Sequence, residues 1–132
     1  MAASNAAELP GLVGVVDRLL LEAAACREDA GCREYVRTCV VGTILFDALM
    51  RLAAASKGRV PLEKLYEAVA SQTALGDVLN KHRELASEML DKTVKYLEMH
   101  GEIRNGTATR DALLKMAIHI ETAMVFLGCW TA

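Results

Sequence analysis

Apolar residues recur along this chain at helical spacing, and no stretch alternates as a half-buried strand would. The pattern predicts about five helical segments. The first is expected from Pro10, a favoured first-turn residue, to Cys26, with Leu12, Val13, Val16, Leu19, Leu20 and Ala23 on one wide face. Only Gly14, Arg18 and Glu22 form a polar stripe, so this helix should be mostly buried. The second, Cys32 to Ser56, carries no charge from Thr38 to Phe46, as a central core helix would. Gly42 weakens that helix, and its place there is read as permitting close approach by a neighbour. A short helix from Pro61 to Ser71 should bury Leu62, Leu65, Tyr66 and Val69. A longer one, Asp77 to Met99, has a mixed outer face with Glu88/Lys92 and Asp91/Lys95 at i,i+4 spacing. His100-Gly101 stops it. Asn105-Gly106 then signals a tight turn, and a last helix from Thr107 or Thr109 reaches the C-terminus. The expected fold is all-α, a single compact bundle over residues 1–132, with at most a vestigial hairpin at Glu102–Thr107.

The C-terminal run Ala123-Met124-Val125-Phe126-Leu127-Gly128-Cys129-Trp130 is apolar where most chains are polar. Such an end needs cover, from its own helices or from another subunit. Val125, Phe126, Leu127 and Trp130 are therefore candidate subunit contacts, with Phe126 and Trp130 as anchors. Composition fits this: 53% of residues are hydrophobic but only 5% aromatic, so the apolar mass is small side chains that let helices approach closely. No window approaches an uncharged membrane span, so none is expected. Met1-Ala-Ala-Ser-Asn lacks the basic start and apolar centre of a signal peptide, which points to a cytoplasmic or virion location.

The cysteines Cys26, Cys32, Cys39 and Cys129 fit no zinc spacing. In a reducing cytosol all four would be free buried thiols. The alternative is a Cys26–Cys32 disulfide across the turn Arg27–Gly31. Cys32 and Cys39, two turns apart on one helix, are roughly 10 Å apart and too distant to bond each other. His82, His100 and His119 fall on different segments without cysteine partners, and His119-Ile-Glu121 lacks the Cys-rich half of a zinc deaminase. Neither a Glu-x-x-His pair nor a phosphate loop occurs. No enzymatic activity, cofactor, metal or small-molecule substrate is expected.

Two resemblances add to this reading. Val60–Ala70 and Met89–Ile103 resemble the support and recognition helices of winged helix-turn-helix proteins, with His100-Gly101-Glu102-Ile103 leading into a wing. That likeness spans Ile44 to Gly106. The sequence departs from it at Ser71–Arg83, which stands where a tight turn belongs, and in the acids Glu84, Glu88, Asp91 and Glu98. Over its whole length the chain is similar in build to nucleocapsid proteins of filamentous viruses of hyperthermophilic archaea. This second resemblance implies a helical subunit that oligomerises with like subunits around double-stranded DNA. The cations least matched by acids would then face DNA: Arg33, Arg37, Lys57, Arg59, Lys81, Arg83, Arg104, Arg110 and Lys115. The net charge of −2 means any such contact is a local patch. The alternatives are a dimeric winged helix-turn-helix regulator and a small subunit of a ribonucleoprotein.

Overall fold

The computed structural model describes residues 3–56 and 59–130, with side chains described from residue 14 onward. In chain order the elements are α1 (Ala3–Ala25), α2 (Ala30–Ala55), β1 (Val60–Pro61), a 3-10 turn (Leu62–Lys64), α3 (Leu65–Ala70), α4 (Gly76–Lys81), α5 (Arg83–Met99), β2 (Thr107–Ala108) and α6 (Arg110–Phe126). The all-α bundle read from the sequence is the observed fold.

α2 is its axis. Asp29 caps it, its side chain accepting from the Cys32 amide at 2.9 Å. The Ser56 amide closes the far end onto the Leu52 carbonyl. Between these caps nearly every residue from Cys39 to Leu49 is buried, because α1, α3, α5 and α6 all pack against this helix. α2 is long and apolar enough to cross a membrane, which the sequence reading did not expect. Its two charges there, Asp47 and Arg51, pair at 2.7 Å, and most of the helix lies inside the fold.

α6 lays Ala112, Leu113, Met116, Ala117, Ile120 and Met124 along α2. α5 presents Ala86, Leu90, Thr93 and Leu97 at helical spacing. The buried Thr93 returns its hydroxyl to the Met89 carbonyl, so no polar group is stranded.

Several boundaries differ from expectation. α1 opens at Ala3, well before Pro10, since the alanines there favour helix. Among its described side chains Val16 and Leu19 are buried while Leu20 and Leu21 face outward, so that part is less buried than expected; Leu12 and Val13 of the expected face lie outside the described side chains. Pro61 does not open a helix but pairs in β1 with Thr107. The expected single helix Asp77–Met99 breaks at His82, whose backbone (φ −120°, ψ 35°) leaves the helical region. Tethers flank the break: the Tyr66 hydroxyl donates to Asn80 at 2.6 Å, and Arg83 pairs with Glu67 while lying over the Tyr66 ring. The hairpin is small but real. Asn105 and Gly106 take positive φ, Arg104 bridges Thr107, and β1 adds an antiparallel third segment with Val60 opposite Ala108.

Candidate assembly and nucleic-acid surfaces

The C-terminal turn is bound tightly to its own chain. α6 ends at Gly128 in the left-handed region (φ 78°), and the Cys129 amide returns to the Met124 carbonyl at 2.9 Å. Cys129 is joined to Cys39 of α2 by a disulfide, Cα to Cα 5.4 Å. The Trp130 indole N–H donates to the Thr43 hydroxyl at 2.8 Å, and that hydroxyl donates onward to the Cys39 carbonyl at 2.7 Å. The Trp130 ring meets Phe46 edge-on at 5.2 Å. Tyr35 donates to the Leu127 carbonyl, and Arg18 to that of Cys129.

The four residues singled out at the tip therefore divide. Trp130 turns inward, half-buried against α2 of the same chain, where its N–H finds a buried hydroxyl. Val125, Phe126 and Leu127 stay outside. Phe126 is 90% exposed and Val125 59%, and one and two turns back on the same face stand Thr122 and the 56% exposed Ile118. A shallow apolar cleft of about 310 Å³ lies among Glu121, Thr122, Val125 and Phe126. A second, about 330 Å³, adjoins it at Thr122 and is lined by Tyr96, Leu97, His100, Ile118 and His119, with the Glu102–Lys115 pair at its edge. There the Tyr96 ring is stacked between the two imidazoles, at 4.3 Å from His100 and 4.6 Å from His119. The outer face of α6 thus carries Ile118, Val125 and Phe126 exposed, with Thr122 between them and polar residues at its margin.

All four cysteines are paired, which overturns the reading of free buried thiols. Cys26 and Cys32 form the disulfide foreseen across the turn, Cα to Cα 5.6 Å. Their turn is reversed by Arg27 at φ 56°. The Cys39–Cys129 bond was missed, because its partners are 90 residues apart and only the packing of α6 on α2 brings them together.

The cations collect in two places. Arg37 of α2 meets Lys81, His82 and Arg83 around a cleft of about 500 Å³, whose walls also hold Glu34, Glu84 and Glu88. Arg37 pairs with Glu34 at 2.9 Å and Arg83 with Glu67 at 2.6 Å, so part of that charge is already answered. Burial, then Arg37 and Lys81, hold the His82 imidazole below its ordinary value. At the hairpin, Arg59 and Arg104 share a hollow of about 200 Å³ with Glu102, Asn105, Thr107 and Thr109, Glu102 being paired with Lys115. Arg110 opens α6 directly after Thr109, whose hydroxyl caps that helix through the Ala112 amide. Lys115 is not matched loosely as the sequence reading supposed. It is held by both Glu102 and Asp111, and the bonds to these two carboxylates raise its pKa. Arg33 is exposed and makes no ion pair among the described residues. Lys57 lies outside the described residues. Nor, among the described residues, do His, Cys, Asp or Glu gather in a group that could hold a metal ion.

Compared with known proteins, the chain matches no family model, no curated protein and no solved structure.

Proposed function

We propose that this chain is a non-enzymatic, disulfide-stapled helical subunit that self-associates through the outer face of α6 and acts as a nucleocapsid-type or architectural protein on double-stranded DNA. The observation that carries it is the division of the C-terminal tip. Three ties and a disulfide draw Trp130 and Cys129 inward, yet Phe126, Val125 and Ile118 remain on one outward stripe. Clustered exposed apolar residues of this kind, with Phe126 the most exposed large apolar side chain among the described residues, mark a protein contact. The DNA part of the proposal rests on Arg59, Arg104 and Arg110 around the hairpin, on Lys81 at the other cluster and on the exposed Arg33 of α2, none of which makes an ion pair among the described residues. The test is native purification followed by sizing and nucleic-acid analysis. Assemblies containing duplex DNA without sequence preference support the proposal; a protein free of DNA that also ignores added duplex at low salt removes its DNA part, and co-purifying RNA redirects it to a ribonucleoprotein.

A second reading, a dimeric winged helix-turn-helix regulator, is favoured by the order of elements. α2, β1 and α3 are followed by α5 and a hairpin whose returning strand pairs with β1. Against it, α5 exposes Glu84, Glu88, Asp91 and Glu98 beside Lys92 and Lys95, and acids on a recognition helix repel phosphate. Sequence-selective binding abolished by Lys92→Glu with Lys95→Glu would establish this reading; binding unaffected by both would remove it.

A further inference from the structure

We infer that the two disulfides act in series, the outer one guarding the inner, so that reduction releases the C-terminal turn in a fixed order. Cys26–Cys32 lies on the turn between α1 and α2, with Cys32 only half-buried. Cys39 and Cys129 are 0% and 3% exposed. α1 reaches that inner pair: Arg18 donates to the Cys129 carbonyl at 3.3 Å, and Val16 and Leu19 of the same helix are buried in the core. α1 packs chiefly on α2, and the stapled turn at its end ties it covalently to that helix. Thiol–disulfide exchange needs the attacking thiolate to reach a sulfur, and Cys32 of the outer pair is the most exposed of the four cysteines in the closed fold.

The proposed step needs a dithiol reductant. Its thiolate attacks one sulfur of Cys26–Cys32, forming a mixed disulfide and expelling the other cysteine as thiolate. The reductant's second thiol then displaces the first cysteine and leaves as a closed disulfide, so two electrons and two protons pass to the protein pair. With that bond open, α1 loses its covalent staple to α2 and lifts more readily in a local opening. The same exchange then reaches Cys39–Cys129. The turn carrying Trp130 loses its covalent tie to α2, and the base of the Phe126 stripe loses its anchor.

The experiment is timed reduction of the oxidised full-length protein with dithiothreitol, quenched by alkylation and read by peptide mass spectrometry. Cys26 and Cys32 should be labelled first, with a lag before Cys39 and Cys129. In Cys26→Ser with Cys32→Ser, the lag should vanish and inner reduction should quicken by about tenfold, as expected when a local opening becomes easier. Both pairs opening together at one rate in the native chain, or an inner pair no faster in the variant, would overturn the inference. Should the double variant lose its helical circular dichroism, Arg18→Ala serves instead. It leaves both disulfides in place and should also speed inner reduction; an unchanged rate overturns the inference equally.

Discussion

A methyl group placed on Gly42 of α2 would overlap the thioether of Met124 on α6, so these helices meet where nothing larger than hydrogen fits. This close approach brings Cys39 to Cys129 and sets Thr43 beneath Trp130. Gly42→Ala should therefore cost about 1–3 kcal/mol through overpacking, read as a lower thermal midpoint. Adding Met124→Ala should recover part of the loss by vacating the space. A Gly42→Ala protein that melts with the native one would show that the Met124 side chain repacks around the added methyl.

Trp130 and Thr43 offer an asymmetric pair of changes. Trp130→Phe removes a donor, leaving the Thr43 hydroxyl still bonded to the Cys39 carbonyl, and should cost about 0.5–1.5 kcal/mol. Thr43→Val leaves the half-buried indole N–H without its acceptor and should cost more, about 1–3 kcal/mol. Denaturant midpoints of the two variants should fall in that order; the reverse order would mean the indole finds water.

His82 gives the fold an acid limit. Its imidazole is held below the ordinary 6.5 by burial and by Arg37 and Lys81, so the folded state binds a proton less readily than the unfolded chain. Its contribution is complete above pH 6.5 and declines as pH falls from there toward the lowered folded value. His82→Gln should flatten denaturation midpoints measured across that range. A variant with the native pH profile would assign the slope elsewhere.

Charge reversal separates the surfaces that would meet DNA. Arg59→Glu with Arg104→Glu should weaken duplex binding uniformly across sequences and reduce the salt slope, by about one for each phosphate no longer neutralised. Lys92→Glu with Lys95→Glu should leave binding unchanged under the architectural reading. Fluorescence anisotropy over a salt series reads both, and an opposite ranking would favour a regulator that binds through α5.

Much of the fold was legible because helical periodicity is local. The uncharged stretch Thr38–Phe46 did mark the central helix, and Gly42 did mark a close approach. Cys26–Cys32 was visible as an alternative because its turn separates the partners by only six residues. What was hidden depends on distant packing. No spacing rule joins Cys39 to Cys129 or turns Trp130 onto Thr43. The break at His82 carries no proline or glycine, arising where Tyr66 and Glu67 tether residues on either side of it. The pairing of Val60–Pro61 with Thr107–Ala108 is too short to register as a strand pattern. At the tip, the sequence marked an apolar run but could not say which side chains turn inward.

That division of the tip is tested most directly by multi-angle light scattering of the oxidised full-length protein at micromolar concentration, beside Phe126→Ser. The native chain should form assemblies, and the variant should scatter as a monomer with unchanged helical circular dichroism. A native protein that stays monomeric throughout that range, or a Phe126→Ser variant that assembles as readily, would contradict self-association through α6.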